Sequence, residues 1–275
     1  MTISQNSSGL FSLAGKISLV TGAGGEIGQA LAAGLAANGS KVALSDIDQT
    51  AAERAAEAIR ENGGDAIALP HDVTSPASWK QVFDAVTETW GAVNILANVA
   101  GVIPGRPAVL ADVPLEEWRR SHAVNLDGSF LGVQAGVKAM APGGSIINIG
   151  SIVGYFGARS GVAYGTSKGA IRGLTTQTAS SCIAEGHDLR INTLHPGYIL
   201  TSAALGEQVQ KLGSREAAER AFATRNPRNR CMSPDALVGP LIFLASDASQ
   251  FMNGAEIVID DGMSTQMPGT SFAKG

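Results

Sequence analysis

The chain has 275 residues, 44% hydrophobic and 16% charged, a balance that supports one large α/β domain with a sizeable core. Its net charge of −4, with no long basic run, argues against nucleic acid and anionic membranes as partners. Cys182 and Cys231 lack metal-ligand spacing and read as unpaired thiols. With no signal-like N-terminus and no apolar run of about 18 residues, they predict a cytoplasmic protein.

Residues 1–9 are polar and predict a frayed tail, leaving 10–275 as a single domain. A strand over Lys16–Thr21 runs into "TGAGGEIG" (Thr21 to Gly28), which opens a helix over Ile27–Asn38. Strand Lys41–Asp46 and helix Gln49–Glu61 come next, then Asp65–Leu69 with Pro76–Trp90, and Val93–Ala97 with Leu115–Met140. Ser145–Ile149 precedes helix Ala163–Glu185, Leu189–Leu194 follows, and helix Pro234–Ser246 leads to a last strand, Glu256–Ile259. Repeated strand–helix units imply right-handed crossovers and a doubly wound parallel sheet of seven strands with helices on both faces. The polar stretch 201–230, containing Gly206, Gly213 and Pro227, interrupts this rhythm and predicts a substrate lid.

Gly22, Gly24, Gly25 and Gly28 crowd the first strand-to-helix turn, where backbone can approach a pyrophosphate at a helix N-terminus. Their spacing is not GxGxxG, so the turn alone fits either a phosphate cradle or a structural bend. "ALSDID" puts Asp46 at the carboxyl end of the second strand, where an acid grips ribose hydroxyls and repels a 2′-phosphate. No Lys or Arg lies between Thr21 and Gln29 to offset it, which predicts NAD over NADP. His71–Val73 and Asn98–Gly101 end the third and fourth strands on the same edge. Tyr164 and Lys168, four apart at a helix start, share one face. A neighbouring ammonium favours an ionised phenol and draws it toward use as a base, although such pairs also occur on solvated helices. Ser151, just after the fifth strand, reaches the same edge.

With these residues on one edge, the chain from Leu10 to Gly262 resembles an NAD-dependent short-chain dehydrogenase/reductase of single-domain Rossmann type. Ser151, Tyr164 and Lys168 stand at the family's serine-to-tyrosine and YxxxK spacings, and Asn125, in "VNLDG", matches the fourth member of its catalytic tetrad. Thr21 and Gly22 fit TGxxxGxG, Asp72 the adenine-contacting acid, "HPGYILT" (His195–Thr201) the segment beside the nicotinamide, and "IVIDDG" the last strand. The resemblance implies NAD contacts from Gly22, Gly25, Glu26, Ile27, Asp46, Ile47, Asp72, Val73, Asn98, Ala100, Gly101, Tyr164, Lys168, Pro196, Gly197, Ile199 and Thr201.

It further implies hydride transfer between NAD and a secondary alcohol or ketone, such as a sugar, sugar acid or cyclic alcohol. Tyr164 would be the acid/base, Lys168 would lower its pKa, Ser151 would steady the substrate oxygen and Asn125 would hold a relay water. A homotetramer paired through the long central helices and last strand is implied as well; no metal is. Two positions depart from the family: Glu26 replaces a glycine, and Val99 replaces the second Asn of NNAG. Glutamate in a first helical turn suits the helix dipole, so Glu26 is expected to point away from the pyrophosphate. Glu26 also supports a second reading, a dinucleotide-binding sensor or scaffold of the same fold. Arg106, Arg159, Arg225, Arg228 and Arg230 are either anion-recognising or solvated surface, and His195 reads as structural.

Overall fold

The computed structural model describes residues 7–103, 110–157 and 161–265. Its seven parallel strands form one sheet in the order β3-β2-β1-β4-β5-β6-β7. They are β1 (Ile17–Thr21), β2 (Lys41–Asp46), β3 (Ala66–Pro70), β4 (Ile95–Asn98), β5 (Gly144–Ile149), β6 (Leu189–Pro196) and β7 (Glu256–Ile259). β1, β4 and β5 are buried at every position, which is why they read as unbroken runs of apolar and small residues rather than as alternating patterns. The strand order reverses between β1 and β4, so the crevice outside their carboxyl ends is the topological switch point.

The helices are α1 (Ser7–Leu10), α2 (Glu26–Ala37), α3 (Gln49–Glu61), α4 (Pro76–Trp90), α5 (Leu115–His122), α6 (Gly128–Ala139), α7 (Val162–Ala184), α8 (Ser202–Leu212), α9 (Arg215–Ala223) and α10 (Val238–Ala245). One core joins Leu31 and Leu35 of α2, Ile59 of α3 and Leu241 and Leu244 of α10. The other joins Trp79 and Phe83 of α4, Val133 of α6 and Ala179 and Cys182 of α7, so each face of the sheet is covered. Helix starts follow local rules: Asp48 accepts from Ala51 N at 3.0 Å to begin α3. Ser75 accepts from Ser78 N at 3.3 Å ahead of Pro76 to begin α4. Gly132 lets α6 settle on the sheet, because a Cβ there would stand 2.5 Å from Asn98 Oδ1 and 2.7 Å from the Trp79 ring.

Three elements differ from expectation. The single helix expected over Leu115–Met140 is broken by a π-helical turn at Ala123–Asp127, between α5 and α6. The widened turn carries Asn125, whose amide is tied to the main chain of Val102. The stretch 201–230, where a lid is expected, is mostly helical, since Thr201 and Ser214 cap α8 and α9 by accepting from Ala204 N and Ala217 N, both at 3.1 Å. Gly213, at φ 77, ends α8. Leu205, Ala218 and Phe222 then form a small core of their own with Tyr198 and Leu200. Ser7–Leu10 form a short helix where a frayed tail was expected; residues 1–6 lie outside the described residues. No helix among the described residues is long and apolar enough to cross a membrane, and both cysteines are free.

Candidate active site

The turn after β1 is pinned across the switch point by one hydroxyl. Thr21 Oγ1 accepts from Val99 N at 3.0 Å and from Ala100 N at 3.1 Å, tying the ends of β1 and β4 together. This tie uses only the main chain at position 99, so the valine there retains it. Gly22 adopts φ 65, and a Cβ on it would lie 2.6 Å from Ala100 Cα. A Cβ on Gly28 would lie 2.3 Å from Gly22 O. No side chain caps the first turn of α2, because Gly25 is its N-cap. Gly25 N donates to Gly22 O at 3.2 Å, and the main-chain N–H groups of Glu26 and Ile27 begin α2 without a side-chain cap over a cradle shaped by glycine, which fits a dinucleotide pyrophosphate.

The flanking positions fit the rest of a dinucleotide. Asp46 Oδ2 accepts from Gly24 N and Oδ1 from Asp48 N, both at 2.9 Å, which fixes the carboxylate at the end of β2. Ile47 beside it is 79% exposed. Asp72 Oδ1 accepts from Thr74 N at 2.9 Å and Thr74 Oγ1 at 2.7 Å, and these bonds hold its carboxyl below the usual range. Val73 is buried against Gly128. His71 is buried with Nδ1 2.9 Å from Ser45 Oγ, and burial lowers its pKa to about 4, so it is neutral. Asn98 is buried, and its Nδ2 donates to Asn148 Oδ1 at 2.9 Å. Pro196 and Gly197 close β6 on the same edge, Ile199 is buried beyond them, and the Thr201 hydroxyl is the α8 cap.

Lys168 lies one turn along α7 from Tyr164 and is 5% exposed. Its Nζ donates to Ile149 O, at the end of β5, at 2.7 Å and stands 5.9 Å from the Tyr164 ring centroid. Lys168 forms no ion pair among the described residues, and burial lowers its pKa to about 8. Gly101 borders this group, since a Cβ there would be 3.6 Å from Lys168 Nζ and 3.3 Å from Asn125 Oδ1. Ser151 Oγ accepts from Val153 N at 3.4 Å, at the start of a short helical turn, Ile152–Gly154, beyond β5. A Cβ on Gly154 would lie 2.7 Å from Lys168 O, so glycine lets that turn rest on α7.

Asn125 is fully buried. Its Oδ1 accepts from Val102 N at 2.7 Å, while Nδ2 donates to Val102 O and Ser167 Oγ, both at 3.0 Å. Ser167 Oγ in turn donates to Tyr164 O at 2.7 Å. Asn125 thus clamps the β4 turn to the start of α7. Its side-chain amide is fully engaged by these protein partners.

Behind Ser151, the buried His195 donates from Nδ1 to Ser151 O at 3.3 Å; a carbonyl only accepts, so the proton is on Nδ1. Burial lowers the His195 pKa, and Gly150 makes room for the ring, since a Cβ there would be 2.4 Å away. The Tyr155 ring meets His195 edge-on at 4.8 Å, its hydroxyl donates to Glu256, and Arg172 Nε donates to Glu256 Oε1 at 3.0 Å. Burial pushes the Tyr155 hydroxyl up to about 12. Sequence reasoning missed this trio, because Tyr155 and Glu256 are 101 positions apart with no spacing to link them. Of the candidate arginines, Arg228 and Arg230 both pair with Asp261, at 3.2 and 2.5 Å. The Arg225 guanidinium lies 5.4 Å from the Tyr198 ring, and Arg106 and Arg159 lie outside the described residues.

A family model described as "Enoyl-(Acyl carrier protein) reductase" matches residues 22–264. The chain is 36% identical to an NADP-dependent (R)-specific alcohol dehydrogenase of Lentilactobacillus kefiri, over 92% of this chain and 98% of that one. It is 35% identical to a trans-4-hydroxycyclohexanecarboxylate dehydrogenase of Sinomonas cyclohexanicum, over 91% and 93% of the two chains. The crystal structure of a short-chain type dehydrogenase/reductase from Mycobacterium marinum superposes with a TM-score of 0.82 at 32% identity, covering 94% of this chain and 98% of that one. The chain belongs to the short-chain dehydrogenase/reductase family of oxidoreductases.

Proposed function

We propose that the chain oxidises a cyclic or polyhydroxylated secondary alcohol to its ketone, with NAD as hydride acceptor. The observation that carries this reading is the buried Lys168 ammonium, held by Ile149 O and facing Tyr164 across 5.9 Å. An unbalanced positive charge beside a phenol favours the phenolate, which makes Tyr164 a base for the substrate hydroxyl. When bound, the nicotinamide supplies the hydride-accepting carbon. Ser151, held at the end of β5, hydrogen-bonds the substrate oxygen as negative charge grows on it. The Asn125 clamp keeps Tyr164 and the β4 turn in register.

NAD rather than NADP is supported by Asp46, whose carboxylate is fixed by two main-chain N–H groups where the adenosine ribose would lie. The Lentilactobacillus relative is NADP-dependent by its name, so the choice in this chain rests on Asp46. A cyclic alcohol agrees with the name of the Sinomonas relative. A neutral substrate is supported by Arg228 and Arg230, which Asp261 already engages. Assembly as a homotetramer is supported by apolar side chains left open on α6, α7 and β7, namely Phe130 at 45%, Ile183 at 65% and Val258 at 39% exposure.

Tyr164→Phe is expected to lower kcat by about 10²–10⁴-fold in steady-state assays while NAD binding stays within a few-fold. Retention of more than about a tenth of kcat removes Tyr164 from the chemistry. Asp46→Ser is expected to weaken NAD binding about ten- to a hundred-fold, equivalent to roughly 1.5–3 kcal/mol, and to narrow the preference over NADP. A wild-type preference for NADP contradicts the assignment. Light scattering at micromolar concentration is expected to give the mass of four chains, and a monomer contradicts it.

A further inference from the structure

Glu26 is where the glycine turn departs from its family, and its carboxylate reaches far along the chain. Ser202 N donates to Glu26 Oε1 at 3.0 Å and Oε2 at 3.1 Å, linking residues 176 positions apart. Glu26 is the first residue of α2 and Ser202 the first of α8, so one carboxylate lies at two helix N-termini. Thr201 Oγ1 caps α8 through Ala204 N, which leaves the Ser202 N–H as an orphan donor that Glu26 meets. Both helix dipoles favour a negative charge there.

The sheet order shows what this bond spans. β6 lies three strand spacings from β1, roughly 14 Å, with β5 and β4 between them. For Ser202 to meet Glu26, the chain leaving β6 returns across the carboxyl ends of β5 and β4, where Ser151, Lys168 and Gly101 stand. The other end of the lid is fastened by Arg228 and Arg230 to Asp261. Between these ties, α8 and α9 pack mainly on each other and on Tyr198 and Leu200.

We propose that Glu26 is a positioning residue that clasps the lid to the cofactor turn and slows release of the dinucleotide. This rests on reading the chain as a dinucleotide-dependent oxidoreductase. A dinucleotide in the crevice lies beneath the clasp, and the clasp must open before it leaves. Glycine at position 26 would leave the Ser202 N–H to water.

Two variants remove the clasp from opposite sides. Glu26→Ala deletes the acceptor. Ser202→Pro deletes the donor at a first helical position, where proline is accepted, after a Thr201 already extended at φ −125 and ψ 159. In stopped-flow fluorescence, each is expected to speed NADH dissociation about three- to tenfold, with Glu26→Gln in between. The double variant should be no faster than either single one. In the free protein, both variants should be cut faster by trypsin at Lys211 or Arg215, within the lid. Unchanged release in both, additive effects, or slower release from Glu26→Ala would overturn the clasp; the last would mark the carboxylate as a repulsive block. Absence of dinucleotide binding by the wild type would overturn the functional reading, while proteolysis of the free protein still tests the contact by itself.

Discussion

The carboxyl edge of the sheet is organised around a buried ammonium with no carboxylate among the described residues paired to it. Lys168 Nζ has the Ile149 carbonyl as its hydrogen-bond partner, so the end of β5 and the first turns of α7 are fixed relative to each other. Gly154 lets the turn after β5 rest on the Lys168 main chain, since a Cβ there would lie 2.7 Å from Lys168 O. The unfolded chain holds the Lys168 proton to about its ordinary 10.5, the folded chain only to about 8. Between those values the unfolded state binds more protons, so stability rises with pH. Below about 8 the burial opposes folding in full. A group that opposes its own fold agrees with the role proposed for it beside Tyr164.

Around this charge, three polar ties join elements that hydrophobic packing alone would leave free to slide. Thr21 joins the ends of β1 and β4, Asn125 joins the β4 turn to α7, and His195 backs Ser151 at the end of β5. Each is buried and uses main-chain groups, so each is stronger and more directional than a surface contact. The Glu26–Ser202 contact is of another kind, an exposed bond that can open. In the proposed reading, buried ties hold the elements that carry the chemistry, and the exposed tie holds the segment that gates entry and release.

The sheet was legible because its strands are buried on both faces and its helices start with ordinary caps at Asp48 and Ser75. The candidate catalytic positions stood out in the sequence because Tyr164 and Lys168 lie on one helix turn and Ser151 just beyond a strand end. What escaped depends on contacts between distant positions. No periodicity marks the π turn at Asn125, which answers to Val102. The side-chain direction of Asn98 is set by Asn148, and the availability of Arg228 and Arg230 by Asp261. The lid helices had local signals, Thr201 and Ser214 three residues ahead of the N–H groups they cap, obscured by the polar composition between them.

Titration of Lys168 tests the central claim most directly. The free protein, labelled with carbon-13 at lysine Cε and followed by NMR against pH, would give the ammonium its own resonance, identified by its loss in Lys168→Arg. The account predicts a midpoint near 8, well below the ordinary 10.5. A midpoint at the ordinary value would mean that the ammonium is hydrated or paired, and that the field assigned to it at Tyr164 is absent.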